Sequence, residues 1–266
     1  MQKIHKKKAS LLSYKSYNFI ILKNKGKDLA KIIYLILFSL WANAHFLTVI
    51  PSNDYISNTK NSKISFETMF IHPFEQSGMI MEEPLGFFVK NEKLPLTQIK
   101  KFDHKAWQTE YKIKKPGVYQ FYVKPQPYFE ASEEKYISHV PKVIISAFGL
   151  ENDWDKALGL KYEIVPITKP FGLYSGNLFQ GKVLHNGKAA SNIEVEIELY
   201  NTFELKAPTP AHITQVIKTD ENGIFSFVMN HKGWWGFAAL IEEGEKEFKG
   251  KMYPIENGAL LWIKAY

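Results

Sequence analysis

The 266-residue sequence contains no cysteine and no arginine. Without cysteine the protein forms no disulfide bonds, so its stability must come from a packed core, and thiolate is excluded as a metal ligand. Without arginine the chain cannot make the bidentate contacts with phosphate or guanine that many nucleic-acid-binding proteins use. We therefore expect no nucleic-acid partner, although the formal net charge is +7.

The positive charge is concentrated in residues 1–44. This segment holds nine lysines and one acidic residue, Asp28, so the other 222 residues carry a net charge of about −1. It ends with the apolar run Ile32–Leu40 and the tripeptide Ala42-Asn43-Ala44. A basic lead, an apolar run too short to span a bilayer and a small-x-small ending are typical of a secretory signal peptide. We predict export and cleavage after Ala44; an uncleaved anchor is the alternative.

The residues after the predicted cleavage site indicate an all-β protein. Apolar side chains alternate with glutamates from Ile193 to Leu199, which is the period-two pattern of a half-buried strand. Asn186-Gly187 predicts a hairpin turn, and Pro166 and Pro170 bracket a predicted linker. We therefore predict two β-sandwich domains, residues 45–170 and 171–266.

Other segments show weaker strand patterns. Between Asp153 and Lys161 the sequence is compatible with a short helix or a loop. Further strands are predicted at Lys63–Phe70, Val118–Val123, Val140–Phe148, Ile224–Val228 and Ala259–Ile263.

Cleavage at the predicted position makes His45 the first residue of the mature protein. A free α-amine and an imidazole on one residue form a two-nitrogen chelate for a divalent transition metal. We predict His45, His72 and His139 as nitrogen ligands, with Glu130 and Glu133 as further ligands or outer partners. A single histidine is more often a structural or surface residue than a ligand, so the prediction requires a fold that gathers all three.

Other notable side chains have a simpler interpretation. His104, His185, His212 and His231 lie in predicted loops or beside turns, and we do not predict them as ligands. The row Glu194, Glu196 and Glu198 is interpreted as a solvated strand face, with an acidic ion site as the alternative.

Aromatic residues cluster at three places in the sequence. Packing in a sandwich core is the favoured interpretation, and stacking on a sugar or peptide is the alternative. The clusters are Tyr119–Tyr122, Tyr128-Phe129 and Trp234–Phe237.

The chain lacks the short motifs of common enzyme classes. It has no Gly-x-Ser-x-Gly, no His-Glu-x-x-His, no phosphate-binding loop and no dinucleotide fingerprint. A triad dispersed along the chain is recognised only by its geometry. We therefore predict a binding protein and no enzymatic activity.

Several motifs together carry a resemblance to a known family. They are Ala44-His45-Phe46, Phe70-Ile71-His72-Pro73-Phe74-Glu75, Pro116-Gly117-Val118-Tyr119, Lys124-Pro125-Gln126-Pro127-Tyr128-Phe129-Glu130, Ile137-Ser138-His139, Gly172-Leu173-Tyr174-Ser175-Gly176-Asn177 and Gly233-Trp234-Trp235-Gly236-Phe237-Ala238. In these motifs the chain resembles the periplasmic NikK-like proteins encoded beside bacterial cobalt and nickel uptake transporters, formally a domain of unknown function. The resemblance covers essentially the whole mature chain.

The resemblance implies a periplasmic accessory protein that binds Ni²⁺ or Co²⁺ and delivers it to an inner-membrane transporter. It places metal ligands at His45, His72 and His139, and it places the family's Pro-Tyr-x-Glu segment on Tyr128 and Glu130. It also implies immunoglobulin-like or prealbumin-like sandwich domains. A glycan- or peptide-binding module and an N-terminal-histidine copper protein are the alternative functions, and another divalent transition metal is an alternative ligand.

Overall fold

The computed structural model describes residues 45–266, so the predicted signal peptide and its cleavage site lie outside the described residues. The described part contains 21 strands, two short 3₁₀-helices (Thr59–Asn61 and Pro210–His212) and no α-helix. The predicted all-β class is therefore confirmed. Between residues 45 and 266 we also find no helix with the length and hydropathy needed to cross a membrane.

The strands are numbered in chain order. They are β1 (Phe46–Leu47), β2 (Ile50–Pro51), β3 (Tyr55–Ile56), β4 (Lys63–Thr68), β5 (Phe70–His72), β6 (Ser77–Gly78), β7 (Gly86–Val89), β8 (Glu92–Leu94), β9 (Thr97–Lys101), β10 (His104–Lys112), β11 (Gly117–Lys124), β12 (Tyr128–Glu130), β13 (Lys135–Ala147), β14 (Tyr162–Pro166), β15 (Leu178–His185), β16 (Lys188–Ala189), β17 (Glu194–Leu199), β18 (Gln215–Lys218), β19 (Ile224–Val228), β20 (Gly233–Phe248) and β21 (Lys251–Ala265).

Ten of these strands form one sheet, which we call the central sheet. Its strand order is β18-β17-β20-β21-β13-β11-β7-β8, and β3 and β12 also pair with β13. Strand β13 runs parallel to β21 and to β3, whereas the other pairs are antiparallel. Three smaller sheets have the orders β1-β5-β6, β2-β4-β10-β9 and β14-β15-β16, with β19 beside β15 in the last.

The central sheet contributes to two hydrophobic cores. Successive side chains of a strand point to opposite faces of a sheet. In β21, Leu260 belongs to the same core as Phe66 of β4, whereas the next residue, Leu261, belongs to the same core as Phe179 of β15. The predicted division into two domains at residue 170 stays a prediction, and strands from both sides of it, β13 and β21, are neighbours in this sheet.

Local sequence signals agree with several of these elements. Asn186 and Gly187 have φ values of 51° and 73°, as a tight type I′ hairpin turn requires, and they join β15 to β16. The strand predicted over residues 63–70 is interrupted at Met69, between β4 and β5. The segment 153–161 is a loop, and its end is fixed because Glu163 accepts the backbone N–H groups of residues 158, 159 and 160.

Candidate metal centre

His45 and His72 lie next to each other on paired strands. Phe46 of β1 pairs with Ile71 of β5 in antiparallel register, which brings the residue before β1 opposite the last residue of β5. The two imidazole ring centroids are 5.0 Å apart. His45 is buried, with 7% of its surface exposed, and its ring also stacks on Phe70. Two of the three predicted histidine ligands are therefore neighbours.

The third histidine, His139, lies on the face of the central sheet beneath this strand pair. Its ring contacts Phe70 edge-on, at 6.3 Å between centroids, and Phe70 is the ring that stacks on His45. In the parallel register His139 is opposite Gly258. A Cβ at position 258 would lie 2.7 Å from Cγ and 2.9 Å from Nε2 of His139, so the ring position requires glycine there.

A carboxylate lies against the same nitrogen of two histidines. Glu130 Oε2 is 3.5 Å from Nε2 of His45, and Glu256 Oε1 is 3.2 Å from Nε2 of His139. An ionised carboxylate only accepts hydrogen bonds, so the hydrogen bond with Glu256 favours the tautomer of His139 with its proton on Nε2. That tautomer leaves the Nδ1 lone pair of His139 available to a ligand. In His139 this Nδ1 atom is buried and has no hydrogen-bond partner.

The electrostatics of the cluster keep His45 uncharged and Glu256 charged at neutral pH. Burial, and then repulsion from His72 and His139, lower the pKa of His45 from 6.5 to about 4. Burial alone would raise the pKa of Glu256, but the hydrogen bond from His139 and the charge of Lys135 hold it at about 2. A neutral imidazole needs no deprotonation before it binds a metal ion.

The predicted carboxylates are also at this place. Glu133 Oε1 lies 3.9 Å from Nδ1 of His45. Glu130 accepts hydrogen bonds from Ser132, at 2.5 Å from the hydroxyl and 3.0 Å from the backbone nitrogen. All five residues predicted from the sequence are thus linked to one another by contacts of their side chains or through Phe70.

The cluster is not a closed coordination sphere of side chains. Within residues 45–266, no group of three or more His, Asp or Glu side chains is arranged to hold a metal ion. A metal bound here therefore requires a donor beyond the side chains as they lie, such as a free α-amine on His45, or rotation of a side chain.

Two residues of the cluster were not predicted from the sequence. Glu256 reaches His139 because β13 and β21 run parallel although 117 residues separate the two side chains. Lys135 Nζ lies 2.5 Å from Glu256 Oε2 and 2.6 Å from Glu133 Oε2. Neither residue lies in a motif; the strand pairing brings Glu256 to the cluster, and Lys135 lies two residues from Glu133 in the sequence.

The other predicted interpretations can be compared with their positions. The aromatic clusters are mostly core residues: Phe121 and Phe237 are fully buried and Trp235 is 3% exposed. Three of the four histidines that we did not predict as ligands have contacts with other residues: His185 with Glu243, His212 with Thr209 and His231 with Phe203. His185, for example, lies 2.8 Å from Glu243.

The interpretation of the acidic row as a solvated face is wrong for Glu198. Glu194 is exposed, Glu196 is partly buried and Glu198 is 1% exposed. Glu198 accepts the backbone N–H of Phe74 at 3.1 Å and the hydroxyl of Thr214. The loop after β5 covers this end of β17. The alternation of apolar residues and glutamates separates the two faces of the strand correctly, but it does not show that the face with the glutamates is also covered.

We expect Glu198→Gln to remove a pH dependence of stability. Burial raises the pKa of Glu198 from 4.5 to about 7, against the hydrogen bonds from Thr214 and Phe74. The folded protein then binds this proton more tightly than the unfolded chain does. The free energy of unfolding should therefore fall as the pH rises from about 4.5 to about 7, by at most about 3 kcal/mol from this group. Glutamine does not titrate, so the variant lacks this contribution.

Urea unfolding at pH 5 and at pH 8 measures the difference. The wild type should lose more stability between these pH values than the Glu198→Gln variant. Glu194→Gln, an exposed change on the same strand face, is the matched control and should follow the wild type. Equal pH dependence of wild type and Glu198→Gln would contradict the raised pKa.

Comparison with known proteins gives one family and a set of distant structures. The model of a family described as "Domain of unknown function (DUF4198)" matches residues 42–243. No curated protein sequence matches the chain.

Three solved structures have some similarity to this chain, each with a low TM-score. The D0-D1 domain of Intimin is 16% identical, with 82% of this chain and 99% of that chain covered and a TM-score of 0.24. The adhesin InvE of Yersinia pseudotuberculosis is 9% identical, with coverages of 80% and 58% and a TM-score of 0.26. A putative membrane anchored protein from Corynebacterium diphtheriae is 14% identical, with coverages of 83% and 59% and a TM-score of 0.24.

Proposed function

The chain belongs to the DUF4198 family, a domain of unknown function, and we propose that it is an exported protein that binds Ni²⁺ or Co²⁺ at His45 and delivers it to an inner-membrane uptake transporter. The proposal treats the metal as cargo and the protein as a periplasmic carrier without catalytic activity. It combines the geometry of the histidine cluster with the resemblance to NikK-like proteins.

One observation carries the metal-binding part of the proposal. His45 and His139 each have a carboxylate at Nε2, from Glu130 and Glu256 respectively. Metal-binding histidines usually donate their second ring N–H to a carboxylate, carbonyl or water, which fixes the tautomer and turns the other nitrogen to the metal. The buried and unpartnered Nδ1 of His139 has no other use among the described contacts.

The α-amine of His45 supplies the further donor. After cleavage ahead of residue 45, this amine and Nδ1 of the same residue close a chelate ring around one ion. Glu130 lies nearer to Nε2 of His45, at 3.5 Å, than Glu133 does to Nδ1, at 3.9 Å, which favours Nδ1 as the metal-binding nitrogen. His139 then contributes its Nδ1, and His72, whose ring is 5.0 Å from that of His45, rotates to contribute a further imidazole.

The ligand set favours a late transition metal. Neutral imidazole and amine nitrogens suit nickel, cobalt, zinc and copper, and no thiolate is present in a chain without cysteine. Nitrogen ligands alone do not separate these ions, because stability rises from cobalt through nickel to copper. The choice of nickel or cobalt therefore rests on the resemblance to the proteins encoded beside their transporters.

Calorimetric titration with NiCl₂ and CoCl₂ tests the proposal on protein purified from the periplasm of cells that express the full chain. We expect one ion per chain and a loss of affinity of roughly tenfold or more in His139→Ala, which removes one ligand. His212→Ala is the matched control, because His212 is exposed and bonds only to nearby Thr209 among the contacts found. Absence of nickel and cobalt binding by the wild type, or equal affinity of wild type and His139→Ala, would contradict the proposal.

A further inference from the structure

Lys135 lies where the carboxylates of the histidine cluster meet. Its side chain is 17% exposed at the start of β13, and its Nζ atom lies between Glu133 Oε2 and Glu256 Oε2. The remaining oxygens of the same two carboxylates face the histidines: Glu133 Oε1 faces His45 and Glu256 Oε1 faces His139. Each carboxylate therefore has one oxygen on the ammonium group and the other on an imidazole.

This arrangement places a fixed positive charge in the position that a cation would take between two carboxylates. Nζ lies within 2.6 Å of an oxygen of each carboxylate, so the ammonium forms a charge-assisted contact with both. Glu196 lies close to the same carboxylates, and burial followed by repulsion from Glu256 and Glu198 raises its pKa to about 8. Without the lysine, this side of the cluster would offer several carboxylate oxygens to a metal ion.

Carboxylate oxygens and imidazole nitrogens attract different ions. Oxygen ligands suit the hard cations Mg²⁺, Ca²⁺ and Mn²⁺, whereas imidazole suits nickel, cobalt, copper and zinc. In the compartment to which the protein is exported, hard cations compete for any site that presents free carboxylates. A carrier for nickel or cobalt therefore gains selectivity if its carboxylates are already occupied.

We propose that Lys135 is a selectivity-determining residue, a built-in cation that keeps Glu133 and Glu256 out of the coordination sphere and so excludes oxygen-preferring divalent ions. The inference rests on the proposed function, because it assumes that a metal ion binds at the histidines. This role explains why Lys135 and Glu256, which no motif predicts, are part of the cluster. Lys135 holds one oxygen of each carboxylate, so that Glu256 stays a partner of the His139 imidazole and neither carboxylate is a ligand of the ion.

The test compares nickel and manganese binding in the processed protein. Lys135→Met removes the ammonium and keeps most of the side-chain length, and Lys135→Gln keeps a hydrogen-bond donor for the two carboxylates. We expect the affinity for Mn²⁺ to rise by about tenfold or more in both variants, as changes of outer partners commonly shift metal affinity by about 10- to 100-fold. The ratio of nickel affinity to manganese affinity should fall by about the same factor.

Lys251→Met is the matched control. It removes an ammonium group that pairs with Glu134 at 3.2 Å, but both side chains of that pair are exposed. The control should leave the binding of both ions unchanged, and circular dichroism checks the folding of each variant. An unchanged nickel-to-manganese ratio in Lys135→Gln would overturn the inference.

Different results contradict the proposed function and the role of Lys135. A wild type that binds neither nickel nor cobalt contradicts the proposed function, whereas manganese binding gained on removal of Lys135 still supports the role of the lysine in blocking the carboxylates. Conversely, nickel binding by the wild type together with no gain of manganese binding in either Lys135 variant leaves the proposed function intact and removes the role of Lys135.

Discussion

A protein whose first residue is His45 is expected to bind Ni²⁺ roughly 100-fold more tightly than the same protein with Ala42-Asn43-Ala44 retained ahead of it. Two donors on one residue bind as a chelate, because the second donor is held at a high effective concentration once the first is bound. Retaining the tripeptide moves the α-amine three residues away and converts the nitrogen of His45 into a peptide nitrogen, a poor ligand when it is protonated. The imidazole of His45 remains, so only the chelate is removed.

Nickel titration of the two forms measures this difference, and the same pair carrying His45→Ala is the control. In that pair the imidazole is absent from both forms, so the difference in affinity between the two lengths should shrink to a small residual value. Mass spectrometry of the protein recovered from the periplasm identifies the natural first residue. Equal nickel affinity of the two unmutated forms would contradict the N-terminal chelate, even if the protein binds nickel through other groups.

Lys142→Met is expected to lower the free energy of unfolding by about 3–5 kcal/mol, because it leaves a buried carboxylate without its cation. Lys142 of β13 and Glu163 of β14 are 1% and 2% exposed, and Nζ lies 2.6 Å from Glu163 Oε1. Glu163 also accepts three backbone N–H groups from residues 158–160, so it cannot turn to solvent without freeing the loop before β14. Urea unfolding of wild type and variant measures the loss.

Lys63→Met is the matched control for this prediction. Lys63 pairs with Glu110 at the same 2.6 Å distance, but the two side chains are 65% and 58% exposed. Exposed ion pairs contribute about 1 kcal/mol or less, since water screens them and ordering the side chains costs entropy. Combining Lys142→Met with Glu163→Gln should recover part of the stability, because the second change removes the unpaired charge. Similar losses in Lys142→Met and Lys63→Met would show that burial of the pair has no effect.

Local patterns in the sequence predict strands and turns where neighbours along the chain decide the structure. The alternation from Ile193 to Leu199 predicts β17, and Asn186-Gly187 predicts the turn between β15 and β16. Alternation does not say how many layers cover a sheet, which is why Glu198 is buried although it lies on the polar face of its strand. It also does not give the boundary at Met69, where an apolar residue interrupts an apparently continuous strand.

The sequence predicts only part of the candidate site, because Glu256 reaches it through the pairing of two strands that are far apart in the chain. His45, His72, His139 and Glu130 belong to motifs that the resemblance identifies, Glu133 lies between two of these motifs, and the five side chains lie in one cluster. Glu256 joins them only through the register of β13 with β21, which no local pattern specifies, whereas Lys135 pairs with nearby Glu133 as well as with Glu256. Pairing between strands far apart in sequence is decided by the whole core, so residues recruited in this way have to be found from the structure.

The parallel pairing of β13 with β21 also bears on the order in which the protein gains its structure. Contacts between residues far apart in sequence form slowly, because the long segment between them must lose conformational entropy before the contact adds any stabilisation. His139 and Glu256 are 117 residues apart, and β21 contributes side chains to both cores. The histidine cluster is therefore expected to form late in folding. Pairing of β13 with β21 in the central sheet should limit the rate of refolding.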